Sequence, residues 1–148
     1  MKKIHSKHDS TDSGFRVFKC DSSNMKKAFY SPEDTKRMTL DDYVDNVKSD
    51  RTPEDLLFQV MLECFGLDLS CKINVENIDK NTIFTVNNGF LVACFDESLS
   101  EDVVISIAKR DTKPAYVVFR DSSMRDDMLS NVEQIFRTYS PNTTVKIL

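Results

Sequence analysis

Thr82-Ile83-Phe84-Thr85-Val86-Asn87-Asn88-Gly89-Phe90-Leu91-Val92-Ala93-Cys94-Phe95 is the stretch on which the fold turns. Residues 82–86 and 90–95 are rich in β-branched and aromatic side chains, the composition of strands. Between them lies Asn88-Gly89, a dipeptide that accepts positive φ readily, so the spacing predicts a β-hairpin with a type I′ turn.

Working toward the C-terminus, Ser98 and Glu101 have capping-box spacing. They predict a helix carrying Leu99, Val103, Val104 and Ile107, which ends near Lys109-Arg110 and before Pro114. Ala115-Tyr116-Val117-Val118-Phe119 is an unbroken apolar run, the signature of a strand covered on both faces. A longer helix is expected over about Met124–Tyr139, with Met124, Met128, Val132, Ile135, Phe136 and Tyr139 on one side. Pro141 follows it, and Thr144–Leu148 reads as a last strand. Short strands alternating with helices imply right-handed crossovers. The expected fold class is therefore α/β, a small mainly parallel sheet with flanking helices and Thr82–Val86 as its antiparallel edge.

Toward the N-terminus, Thr52 suits an N-cap, Pro53 the first helical position, and Asp55 stands three residues after the cap. Leu56, Leu57, Val60, Met61 and Cys64 form one apolar face, and Gly66 closes the helix. Residues 67–81 read as a connector. Leu40, Tyr43, Val44 and Val47 have helical spacing after Thr39 and Asp42, a second possible capping box. Phe15-Arg16-Val17-Phe18-Lys19 alternates apolar and basic residues, as a half-buried strand does. Asp21-Ser22-Ser23-Asn24 favours turns or caps, and residues 1–14 read as a polar tail. The expected organisation is an N-terminal arm over residues 1–50 and an α/β domain over 51–148.

The 148 residues are 40% hydrophobic and 30% charged, with a net charge of −4. No apolar run approaches the ~20 residues that cross a bilayer, so no membrane partner is expected. Cys20, Cys64, Cys71 and Cys94 form no CxxC pair. Three of them have apolar neighbours, as buried thiols of a reducing compartment do, and the chain reads as cytoplasmic. Residues 1–50 carry ten Lys and Arg against nine Asp and Glu, and the remainder ten against fifteen. Phosphate binding depends on Lys and Arg. DNA is therefore expected only indirectly, or through the basic pairs Lys2-Lys3, Lys26-Lys27 and Lys36-Arg37.

Little in the residues points to chemistry. The histidines, His5 and His8, lie in the tail, and three glycines in all (Gly14, Gly66, Gly89) leave no phosphate-cradling loop. Asp96 and Asp121 follow two predicted strands, where ligand sites of open α/β sheets lie. With Glu97 and Asp126 they are candidate metal ligands, although the same residues also suit helix caps and turns. Protein binding fits better, and Leu56, Phe58, Met124 and Met128 are the candidate interface residues.

Four segments go beyond this pattern. They are Gly14-Phe15-Arg16-Val17-Phe18-Lys19-Cys20-Asp21-Ser22-Ser23-Asn24, Asp50-Arg51-Thr52-Pro53-Glu54-Asp55-Leu56-Leu57-Phe58-Gln59-Val60-Met61, Phe119-Arg120-Asp121-Ser122-Ser123-Met124 and Gln134-Ile135-Phe136-Arg137-Thr138-Tyr139-Ser140-Pro141. They resemble the C-terminal region of the modification subunits of type III restriction-modification systems, bacterial adenine-specific DNA methyltransferases. That family transfers a methyl group from S-adenosylmethionine through DPPY-type and FxGxG-type motifs. The chain has no Pro-Pro pair and no closely spaced glycines, so no catalytic or cofactor residue carries over and no cofactor is expected in this chain. The resemblance implies an accessory region that contacts a modification dimer, the restriction subunit or DNA. Two alternatives stand beside it. One is a stand-alone protein-binding module, or a decoy or inhibitor, derived from that region; on any of these readings a homodimer is a possible state of the chain. The other is a metal-dependent enzyme using Asp96 and Asp121.

Overall fold

The computed structural model describes residues 15–26, 46–123 and 126–148, apart from the side chains of Asp126 and Asp127. The fold is α/β, a five-stranded mixed sheet in the order β1-β2-β3-β4-β5 with helices on both faces. The strands are β1 (Ile73–Ile78), β2 (Asn81–Val86), β3 (Leu91–Cys94), β4 (Tyr116–Phe119) and β5 (Thr144–Ile147). The helices are α1 (Pro53–Gln59), α2 (Glu101–Ala108) and α3 (Asp126–Tyr139). β1, β2 and β3 run antiparallel in turn, while β3, β4 and β5 are parallel.

Side-chain alternation divides the core into two layers. Ile83, Val92, Cys94, Val117 and Phe119 face α2 and α3, where Val103, Val104, Ile107, Ala108, Val132 and Phe136 meet them. Phe84, Val86, Leu91, Ala93, Phe95 and Val118 face the other way, onto Leu56, Leu57, Val60, Met61 and Val47. Successive residues of a strand point their side chains to opposite faces, so the uninterrupted run of β4 is buried on both sides, as expected. The β3–α2–β4 and β4–α3–β5 crossovers advance in one direction across the sheet, and a fixed crossover hand puts both helices on one face. The opposite face is left to the chain before β1.

Several local expectations are corrected. β1 lies within the expected connector, so the antiparallel edge is β1 and not Thr82–Val86. Its polar sequence, Ile73-Asn74-Val75-Glu76-Asn77-Ile78, buries little because one edge and much of both faces meet solvent. The hairpin at Asn88-Gly89 is not a two-residue type I′ turn. Four residues, 87–90, separate Val86 from Leu91, with φ of 50°, 54° and 96° at Asn87, Asn88 and Gly89. Phe90 is held out of the strand, its ring against Tyr116 and its carbonyl accepting from Tyr116 N–H at 3.0 Å.

At α2 the Ser98–Glu101 box does not form. The Ser98 carbonyl accepts from Asn81 Nδ2 at 2.6 Å, and Leu99 is drawn into the core. The helix consequently begins at Glu101, with Ser100 as N-cap. At α1 the expected box is present: Thr52 Oγ1 accepts from Asp55 N–H, and Asp55 Oδ2 accepts from Thr52 N–H at 2.9 Å. Beyond Gln59, Val60–Cys64 winds as a π-helix. The extra residue per turn rotates Cys64 out of the apolar face, and Cys64 is exposed.

Phe15–Lys19 forms no strand. The segment has no regular secondary structure and lies on the surface, with Phe15 88% exposed. Of the expected helix after Thr39, residues 39–45 lie outside the described residues, and Val47 pairs in an isolated bridge with Met25. The tail with His5 and His8, and Met124, also lie outside them. Among the described residues no helix is long and apolar enough to cross a membrane.

The expectation of three buried thiols holds for Cys94 alone; Cys20 and Cys64 are exposed and Cys71 is half-buried. Burial pushes the Cys94 thiol up to about 12. Thiolate is the reactive form, so at about pH 8 an aromatic disulfide reagent is expected to label Cys20 and Cys64 rapidly. Cys94 should react only after denaturant is added. Fast labelling of Cys94 in the folded Cys20→Ser, Cys64→Ser, Cys71→Ser variant contradicts this packing.

Candidate interaction site

The carboxyl ends of β3 and β4 are the first place to look for a ligand in an open α/β sheet. Asp96, just beyond β3, has a structural task there. Its Oδ2 accepts from Thr82 N–H at 2.6 Å and from Asn81 Nδ2 at 3.3 Å. Asn81 is buried, so this carboxylate and the Ser98 carbonyl satisfy an amide removed from water. Asp121 follows β4 and opens a short 3₁₀ turn, Asp121–Ser123. Its N–H donates to Leu148 O at 2.9 Å, and its side chain is exposed. Asp96 lies in a shallow pocket with Asp79, Lys80 and Asp102, a group that does not include Asp121. Among the described residues no three His, Cys, Asp or Glu side chains gather to hold a metal ion.

A second constellation, not anticipated from the sequence, joins the segment 15–26 to the start of α1. Arg51 Nη1 donates to Asp21 Oδ2 at 3.1 Å and Arg51 Nη2 to Ser22 Oγ at 3.0 Å. Lys48 Nζ donates to Ser22 Oγ at 2.9 Å, and Asn24 Nδ2 to Asp55 O at 2.8 Å. Backbone bonds from Lys26 N to Asn46 O and from Lys48 N to Asn24 O complete the joint. The Phe18 ring stands edge-on to Phe58 at 4.8 Å, and Arg16 Nη1 donates to the carbonyls of Leu69 and Cys71. The turn-forming signal in Asp21-Ser22-Ser23-Asn24 was legible. The remote partners that use it were not.

The joint leaves Val17 exposed, and Phe15 and Phe18 exposed at an open groove of about 790 Å³ that is lined also by Arg16, Lys72 and Ile73. Of the candidate interface residues, Leu56 is a core residue, Phe58 is half-buried beneath Phe18, and Met128 packs partly into the α2–α3 layer. A further surface group brings together residues far apart in the chain. Phe65, Phe90 and Tyr116 pack with centroids 4.7–6.5 Å apart, and Lys146 Nζ stands 4.9 Å from the Phe65 ring.

Two outcomes follow from this geometry. Asp96→Ala is expected to lower stability by about 1–3 kcal/mol, since it strips a buried amide and the Thr82 N–H of an acceptor. Asp96→Asn retains an acceptor and most of that stability. Urea unfolding midpoints measure both, and an unchanged midpoint for the alanine variant refutes the role.

The second outcome concerns acid. The Ser22 N–H, and then Arg51, hold the Asp21 carboxyl below the usual aspartate range. The Thr52 N–H, and then its hydroxyl, do the same for Asp55. A carboxylate with a depressed folded value contributes stability that is present above its unfolded value and lost as pH falls through the folded one. The joint is therefore expected to loosen only below about pH 4. Amide resonances of Ser22 and Thr52, followed downward from neutral pH, should titrate with midpoints below the ordinary aspartate value. Midpoints at or above that value count against the contacts. No protein-family model matches the sequence, and no curated protein matches it either.

Proposed function

We propose that the chain is a non-catalytic C-terminal region of a type III adenine-specific DNA methyltransferase, acting in assembly with the modification and restriction subunits. The observation that carries the reading is how the resembling segments meet. Residues 15–24 of the first segment dock on the segment at 50–61 through Arg51 with Asp21 and Ser22, Asn24 with Asp55, and Phe18 with Phe58. Residues 119–123 and 134–141 meet through the Phe119 and Phe136 rings, 6.4 Å apart. Resembling segments whose residues hold one another in place support a likeness of fold over a likeness of composition alone. The carboxylate at the end of β3 is engaged in joining β2 to β3, which supports a structural task for it within a region that makes contacts. S-adenosylmethionine belongs to the catalytic part of the parent enzyme in this reading.

Affinity-tagged chain is expected to retain a purified full-length modification subunit, or the restriction subunit, of a type III system from the same genome. Retention should survive moderate salt and should fall on Phe18→Ala, which opens the joint. Retention of neither subunit by the folded chain refutes the proposal.

A further inference from the structure

β1 is the outer strand on its side of the sheet, and among the described residues it pairs with β2 alone. The pattern of that pairing fixes which backbone groups face outward. Asn87 N–H donates to Lys72 O at 2.9 Å, and the register continues from Ile73 opposite Val86 to Ile78 opposite Asn81. Hydrogen-bonded pairs of an antiparallel ladder recur at every second residue. Lys72, Asn74, Glu76 and Ile78 therefore turn their amides toward β2, and Ile73, Val75 and Asn77 direct N–H and C=O to the free edge.

Natural sheets blunt such edges with proline, lysine or a bulge. Residues 73–78 contain neither proline nor lysine, and the register with β2 is unbroken. The single charge on the strand, Glu76, is engaged by Arg110, which also donates to Thr85 Oγ1. On the opposite face, where the register partners of Ile73 and Val75 are Val86 and Phe84 of the α1 layer, Val75 is 59% exposed. At the Ile73 end the edge runs into the groove, whose lining combines Phe15, Phe18 and Leu69 with the cations Arg16 and Lys72 and, among the described residues, includes no carboxylate. This basic spot stands out in a chain of net charge −4.

From the free edge, the bare Val75 and the cationic groove together, we infer that β1 accepts an extended segment of another protein as a sixth strand. The segment runs antiparallel to β1, the better-bonded sense. It carries β-branched side chains beside Val75 and Ile73, and a carboxylate near its C-terminal end that meets Arg16 and Lys72. Main-chain bonds supply affinity in such strand addition, and alternate side chains supply specificity. A separate segment fits better than a second copy, because a six-residue edge falls well short of the ~800 Å² per partner that stable dimers bury. The inference stands on geometry alone and goes beyond the assembly role proposed above.

The test uses the full chain and a fluorescein-labelled probe, Thr-Val-Thr-Val-Thr-Val-Asp-Glu, with a second probe ending in Lys-Lys. Anisotropy is expected to rise saturably with the acidic probe, as strand addition through main-chain bonds requires. The basic probe, and the Lys72→Glu chain with the acidic probe, should each bind about tenfold more weakly. Val75→Pro removes an outward N–H without touching the β1–β2 ladder, a substitution edge strands tolerate. It should abolish binding while the far-ultraviolet circular dichroism stays unchanged. No saturable binding by the wild-type chain, equal binding by Val75→Pro, or equal binding of the basic probe each overturns the inference. So does a dimer seen by light scattering that Val75→Pro dissolves, which assigns the edge to a second copy.

Discussion

Leu91, Val92, Ala93 and Cys94 are all withdrawn from water, so β3 needs an apolar layer on each face and a hydrogen-bonded neighbour on each side. β2 and β4 supply the neighbours, one antiparallel and one parallel. Val92 and Cys94 require the α2–α3 layer, and Leu91 and Ala93 require α1. Because both crossovers fall on one side, the second layer has to come from the chain before β1. The capped start of α1, the position of Val47 and the polar joint to residues 21–24 all serve that need. Area burial on the two faces is the dominant favourable term, and the polar joint orients what the burial holds.

The legible parts were those whose information is local. Thr52-Pro53 with Asp55 forms its box from residues three apart, and nothing distant competes for those groups. The apolar run of β4 and the periodicity of α3 report burial directly. The alternation of Ile73 and Val75, followed by a turn at Asp79-Lys80, was the available sign of β1. It was weak because an edge strand with two solvated sides has little reason to be apolar. The Ser98 box failed for the opposite reason, since its carbonyl is claimed by Asn81 seventeen residues earlier. Asn88-Gly89 marked a turn correctly. The packing of Phe90 against Tyr116, invisible to turn propensity, set the loop length.

The same distinction governs the candidate sites. Asp96 and Asp121 share a position relative to their strands, which is all that sequence spacing conveys, yet one bridges β2 and β3 while the other is exposed after β4. Arg51, Asp21 and Ser22 were individually unremarkable charged and polar residues. Their joint became visible only when a contact thirty residues long in sequence was closed. A stretch such as Phe15–Lys19 alternates like a strand, but Arg16 finds its acceptors in the carbonyls of Leu69 and Cys71 and not in a β-ladder.

The position of Val47 bears on where the folding unit begins. Compositionally the boundary falls near residue 51, yet Val47 is 2% exposed and sits in the same cluster as Val118, some seventy positions later. Cutting the chain at that compositional boundary strips a buried side chain and the bridge to Met25 from the α1 layer. The sheet face carrying Phe84, Leu91 and Phe95 then loses part of its cover, and apolar surface newly open to water favours aggregation. Opening in this molecule is expected to be uneven: α1 and the segments that clasp it detach as one unit, while the half roofed by α2 and α3 stays closed. Limited proteolysis would first find its sites along that seam.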